Sequence, residues 1–417
     1  MAPTESPNSE SVRFSVYCCA ALIFVVIGRI QEIFLFLQPL QPGLLLLLVT
    51  MIATYSNGRF SSEITGSKAS KLLGLFWFFS FFTIFFSVWP GDAFRVWKIV
   101  VSINYLFFLS CLANMRSPRE IIVLSNALIA SVVILAAKVL LSPTSVEAGR
   151  LSASSTYDAN DLAMIIVMTL PFVMTFFFSK QPRARINYGL IMLILTVALL
   201  KTGSRGGFIG FGVVGITFLF SDVWDAGTGK RIFFALFAAV IIFNIAPESL
   251  WERFQAILSG SDYNLQPVGN GEGSDFGRIE IWKAGVKLFR QHPFLGVGPG
   301  QFATALGETF GSQYWRTAHN SFVQVAGDLG IPGIVLFSAI LRRIWQNLKT
   351  ARTLLAKTSA ESRIVVLPQT ALIALLGYLT CSLFLSQAYT AMIPLLMAYS
   401  SALHLLAEET DERFWVL

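Results

Sequence analysis

Apolar windows close to the ~20 residues needed to cross a bilayer recur from one end of the chain to the other. They fall at 12–28, 33–54, 72–89, 97–113, 121–141, 161–179, 187–201, 207–220, 231–246, 321–341, 366–386 and 389–406. A soluble fold cannot hide so many. With 54% hydrophobic and only 13% charged residues among 417, too much of a water-facing surface would be apolar. The 37 Phe and 9 Trp equally exclude a disordered chain. The expectation is an all-α polytopic integral membrane protein with about twelve transmembrane helices. It divides into 1–246 (helices 1–9), 247–319 (a loop domain) and 320–417 (helices 10–12).

Basic residues then orient the spans. Loops 55–71, 113–120, 179–187, 221–231 and 342–364 carry them densely, the last with Arg342, Arg343, Lys349, Arg352, Lys357 and Arg363. The intervening short connections carry few. The dense loops are therefore expected to be cytoplasmic, with both termini inside. Residues 1–11 hold Glu5 and Glu10 but no basic cluster, so the first window reads as a retained span. The formal charge of +7 reports orientation first, and no nucleic-acid partner is expected. Cys18, Cys19, Cys111 and Cys381 lie inside apolar segments without metal or redox spacing, and the three histidines are far apart. No metal or other cofactor is expected.

One outer connection, 247–319, is long and mixed in character, as functional loops tend to be. A Gly-rich stretch, Pro267 to Gly277, leads into Arg278–Arg290. There Ile279, Trp282, Val286 and Phe289 share one helical face, with Glu280, Lys283, Lys287 and Arg290 beside it. That pattern suits an amphipathic helix on a membrane surface. His292-Pro293 ends it, and Pro-Phe-Leu-Gly-Val-Gly-Pro-Gly (293–300) follows as a turn-rich segment.

Four polar motifs fall on the expected outer side. In Lys201-Thr-Gly-Ser-Arg-Gly-Gly207, free N–H groups at a helix start and the Arg205 fork suit a phosphate; a tight turn with Arg205 snorkelling to lipid phosphates is the competing reading. Arg150 precedes Tyr157-Asp-Ala-Asn-Asp161, where Asp158, Asn160 or Asp161 can simply cap a helix. Arg278 opens the amphipathic helix, and a lone Arg there ordinarily serves a surface. Arg316-Thr-Ala-His-Asn320 carries His319, which suits a proton acceptor or an interfacial histidine satisfied by backbone. Asp328 lies in an apolar stretch and hints at a polar cavity. Gly330-Ile-Pro-Gly333 is expected to kink its helix. Together the motifs make a positive pocket at the membrane surface, suited to a lipid-linked phosphate or diphosphate.

Thr202-Gly-Ser-Arg-Gly-Gly207, Arg278…Trp282…His-Pro-Phe-Leu-Gly-Val-Gly-Pro-Gly300 and Ala318-His-Asn320…Asp328-Leu-Gly330…Gly333 resemble the bacterial O-antigen ligase and Wzy-type polymerase superfamily, and Tyr157-Asp-Ala-Asn-Asp-Leu-Ala163 fits the same pattern. Asp328 departs from it, since Glu is frequent there. The resemblance implies a multi-span, GT-C-like glycosyltransferase of the bacterial inner membrane, with a long periplasmic loop containing amphipathic helices. Its implied donor is an undecaprenyl-diphosphate-linked glycan, and its implied acceptor is lipid A–core. By carry-over, Arg205 and Arg278 hold the diphosphate and His319 is the essential histidine. Arg150, Asn160, Arg316, Asn320 and Asp328 are candidate supporting residues.

Three rival readings share the features. A Wzy-type polymerase uses the same donor to lengthen glycans. A protein O-oligosaccharyltransferase uses a Ser or Thr hydroxyl as acceptor. A lipid-glycan flippase would carry repeated halves and mid-membrane charges, which the sequence does not display.

Overall fold

The computed structural model describes residues 12–141, 146–147, 150–151, 157–178, 182–224, 227, 229–232, 278–357 and 362–415. The described chain is helical apart from one antiparallel ladder, in which Val146 pairs with Leu151 and Glu147 with Arg150. Its main helices are α1 (Phe14–Gly28), α2 (Pro42–Ser56), α3 (Lys68–Phe86), α4 (Pro90–Ala113), α5 (Pro118–Leu141), α6 (Ala159–Phe178), α7 (Pro182–Lys201), α8 (Arg205–Leu219), α9 (Arg278–Gln291), α10 (Phe302–Phe310), α11 (Ser321–Leu355), α12 (Ser362–Ser382) and α13 (Met392–Trp415). Among the described residues, six helices are long and apolar enough to cross a membrane: α3, α4, α5, α6, α11 and α12. Shorter apolar helices α1, α2 and α8 lie in further windows. The window at 231–246 and the Gly-rich stretch 267–277 fall outside the described residues, apart from 231–232.

The apolar side chains explain the packing. α6 is the most enclosed candidate span, with 78% of its apolar window buried. It packs against α12, α7, α8 and α5, while α1 packs against α5 and α2, and α11 against α13 and α12. Large apolar side chains also point outward, among them Ile52, Phe78, Phe85 and Val335. Those surfaces suit hydrocarbon rather than water. Close approach near the site depends on two glycines of α8. A Cβ at Gly207 would sit 2.4 Å from Ala163 Cβ of α6, and one at Gly210 would sit 2.6 Å from Cys381 Sγ of α12.

Two expectations need correction. Residues 33–41 do not begin a span. Leu35–Leu40 is a 3-10 turn containing Pro39, and α2 starts only at Pro42, because two prolines interrupt the donor ladder. The basic segment from Arg342 to Arg352 is not a loop, since α11 continues through it to Leu355. At ~1.5 Å per residue the part after Gly330, to Leu355, alone reaches about 37 Å, beyond a ~30 Å hydrocarbon core. The apolar face of α9 expected to meet a membrane surface stays largely outside the protein's own packing. Ile281, Ala284, Gly285 and Leu288 are buried, whereas Ile279 and Val286 are exposed. The helix carries two apolar stripes, and the small residues of the second allow the closer contact.

Candidate active site

The start of α8 is built by its own motif. Ser204 Oγ accepts the Gly207 N–H at 3.2 Å, the N-cap geometry, and donates to Asn160 Oδ1 at 2.8 Å. Asp158 does the capping at α6, its Oδ1 accepting the N–H groups of Asn160 at 2.7 Å and Asp161 at 2.8 Å. With that task taken, the Asn160 side chain ties the two helix starts together. Arg205 is half-buried at the first residue of α8.

A second helix start lies close by. Asn320 caps α11, its Oδ1 accepting from Phe322 N–H at 2.9 Å and Val323 N–H at 3.1 Å. Its Nδ2 donates to Leu383 O at 3.2 Å. Ser321 Oγ donates to Leu385 O at 2.7 Å and accepts the Gln387 N–H at 3.0 Å. The connection between α12 and α13 is thus bolted to the start of α11. The same connection touches the start of α8, where Phe384 Cβ would lie 3.0 Å from a Cβ at Gly206. His319 immediately precedes this cap. Its backbone is left-handed at φ 46°, unusual for a residue with a Cβ, and its Nε2 lies 3.4 Å from Thr317 Oγ1.

α9 approaches from the third side. Trp282 Nε1 donates to Ala318 O at 2.8 Å, the carbonyl just before His319. Gly285 lets the helix close on α10 and α11, because a Cβ there would meet Phe302 Cζ at 2.9 Å and Val323 Cγ1 at 3.0 Å. Arg278 is four residues before Trp282 and so shares its helical face. The sequence motifs centred on Arg205, Arg278 and His319 therefore meet through three adjoining contacts.

Asp328 is fully buried. Its Oδ1 accepts the Phe302 N–H at 2.8 Å, and its Oδ2 accepts the Gly300 N–H at 3.0 Å and the Tyr389 O–H at 2.9 Å. Burial, reinforced by Asp328, pushes the Tyr389 phenol well above its ordinary value, keeping it a donor. The turn-rich segment 293–300 is a strap across the kink of α11. Val297 N–H donates to Gly327 O, Gly298 N–H to Asp328 O and Ile331 N–H to Pro293 O. The kink itself is at Gly330, with φ 65° and ψ −160°.

Of the other candidates, Arg316 is half-buried three residues before His319, its backbone N–H donating to Tyr314 O at 2.6 Å. Arg150 lies in the two-residue ladder. The 383–389 connection was not singled out by sequence reasoning. Its only signal was the polar Ser386-Gln387 pair between apolar windows. Among the described residues, no group of three or more His, Cys, Asp or Glu side chains offers a metal-ligand set.

No curated protein matches the chain. Residues 190–338 do match a family model described as O-antigen ligase, a stretch that holds Arg205, Arg278, Arg316, His319, Asn320 and Asp328. With its apolar helices the chain is a multi-pass membrane protein, and its segment 190–338 is similar to the O-antigen ligase family.

Proposed function

We propose that this protein transfers O-antigen polysaccharide from undecaprenyl diphosphate to a sugar hydroxyl of lipid A–core, completing lipopolysaccharide. In this reading both termini are cytoplasmic, about twelve helices cross the bacterial inner membrane, and the reaction occurs on its periplasmic face. One observation carries the reading: the 383–387 connection joins the start of α8, with Arg205, to the cap following His319, while Trp282 joins the Arg278 helix to Ala318. These contacts support a shared site for the two arginines and the histidine.

The chemistry follows from those roles. His319 takes the proton of the acceptor hydroxyl, whose oxygen attacks the anomeric carbon opposite the diphosphate. The bond from that carbon to the diphosphate oxygen breaks, and the configuration inverts. Undecaprenyl diphosphate leaves as an anion, its developing charge held by Arg205 and Arg278 without a metal. Asn160 and Asn320 hold the helix starts, Asp328 holds the strap, and Arg150 and Arg316 add positive potential.

The test is reconstitution with undecaprenyl-diphosphate glycan and lipid A–core. A mobility shift of lipid A–core supports transfer to that acceptor. Longer glycans on the carrier instead indicate a polymerase, and donor movement without a new covalent product indicates a flippase. His319→Ala should reduce transfer by ~10²–10⁴-fold, the usual worth of a general base. Arg205→Lys and Arg278→Lys should each weaken it too, because an ammonium lacks the paired donors of the fork. Near-normal transfer by His319→Ala overturns the base assignment.

A further inference from the structure

A cavity of about 1050 Å³ opens between α1, α2, α4 and the 386–391 connection. It adjoins the candidate active site without including Arg205, Arg278 or His319. Gln324, on its wall, is one helical turn beyond Asn320, and Gln387, also on its wall, donates its N–H to Ser321 Oγ at 3.0 Å.

Its lining is unusual for a space among apolar helices. Six side-chain amides face it: Gln31, Gln38, Gln41, Asn104, Gln324 and Gln387. Four of its lining residues carry buried polar atoms with no hydrogen-bond partner among the described residues: Arg29 Nε, Gln31 Oε1, Gln324 Oε1 and Ser386 Oγ. A folded protein pays for such atoms unless something else bonds them. Backbone strain gathers here as well. Among the described non-glycine residues only Arg29, Gln41 and His319 have positive φ, and the first two line this cavity. The wall from Lys98 to Ile103 includes most of a π-helical segment, Trp97–Ser102, a rare form that often marks functional sites.

The chemistry selects an occupant. An amide both donates and accepts, which matches a sugar hydroxyl; a diphosphate would call for donors alone. The charge of Arg29 is already shared, since its guanidinium stands 4.9 Å over the Tyr157 ring and 3.7 Å from Glu32 Oε1. Opposite the amides, Leu44, Leu47, Leu48 and Met51 of α2 offer an apolar wall. We propose that this cavity receives the acceptor, its amides bonding the sugar hydroxyls of a lipid-anchored glycan while α2 lies along the lipid portion. This rests on the glycosyl transfer proposed above and assigns the acceptor side of that reaction.

The purified full-length protein, in nanodiscs with undecaprenyl-diphosphate glycan and lipid A–core, provides the test. Gln31→Leu and Gln324→Leu should each raise the acceptor KM at least tenfold, with the donor KM within twofold. Their thermal midpoints should hold or rise, because a buried carbonyl without a partner is removed. A third variant is independent of these amides. All four native cysteines are buried, so Leu44→Cys, at a position 42% exposed, presents one reactive thiol. Labelling it with a bulky maleimide should raise the acceptor KM relative to the same protein before labelling. Unchanged acceptor KM in all three overturns the assignment, and a rise in donor KM alone gives the cavity to the donor instead. Absence of any transfer by the unmodified protein overturns the underlying reading rather than this one.

Discussion

Asp328 is enclosed by three donors that reach it from residues 26 to 61 positions away in the sequence. Asparagine has the same shape but only one accepting oxygen. In either amide orientation its NH2 faces at least one donor: Phe302 N–H in one, Gly300 N–H in the other. Asp328→Asn should therefore destabilise the protein by ~1–3 kcal/mol, the cost of a buried polar group left unbonded. Thermal unfolding in detergent measures this. An unchanged midpoint with lost transfer would show instead that Asp328 acts in the chemistry. The sequence marked Asp328 by its apolar surroundings but gave no sight of its partners, two of which, Gly300 and Tyr389, line the neighbouring cavity. His319 stood out for its neighbours Arg316 and Asn320, and its cap was legible in the Asn320-Ser321 pair. Its left-handed backbone was not, since nothing local demands it.

Among the elements, the strap at 293–300 and the kink of α11 form one unit. Gly330 has φ 65°, and a Cβ there would sit 2.6 Å from Pro293 O; a Cβ at Gly296, with φ 64°, would sit 2.3 Å from Asp328 backbone atoms. Backbone on both sides leaves no flexible side chain to yield. Gly330→Ala should thus cost ~2–4 kcal/mol from strained φ and overlap combined. Gly333→Ala tests overlap alone, because a Cβ there meets Leu329 Cβ, an atom fixed by the backbone, at 2.1 Å but without a left-handed φ. A Gly330→Ala protein as stable as the parent, by thermal unfolding followed through helical signal, would refute the clasp. The kink was readable from Gly-Ile-Pro-Gly, yet its partner, the strap, was not. Helix spans are written in local hydropathy, whereas the choice between the two apolar stripes of α9 depends on Ala284 and Gly285 letting one of them close on Phe302 and Val323.

For the molecule as a whole, the described contacts join basic connections to one another and motif-bearing connections to one another, as the expected alternation of spans would have them. Contacts across the basic end support this. Arg59 pairs with Glu120 between two connections, Arg116 donates to Arg59 O at 2.7 Å, and Arg352 pairs with Asp222. At the motif end, Lys138 near the end of α5 reaches Glu32 O at 3.3 Å. The charge asymmetry itself was plain in the sequence because it is additive over loops and needs no knowledge of contacts. Which connections touch was not, because most of 383–389 and 29–41 fell within or beside the apolar windows 366–386 and 33–54. The bias predicts sidedness. With the native thiols buried, Ser312→Cys near His319 and Lys349→Cys in the last part of α11 each place one thiol at an exposed position. In intact inner-membrane spheroplasts a membrane-impermeant maleimide should label Ser312→Cys directly. Lys349→Cys should be labelled only after permeabilisation. The reverse pattern would turn the molecule over, placing the candidate histidine on the cytoplasmic face. A donor already flipped outward would then be out of its reach, and the transfer reaction would have to be abandoned along with the orientation.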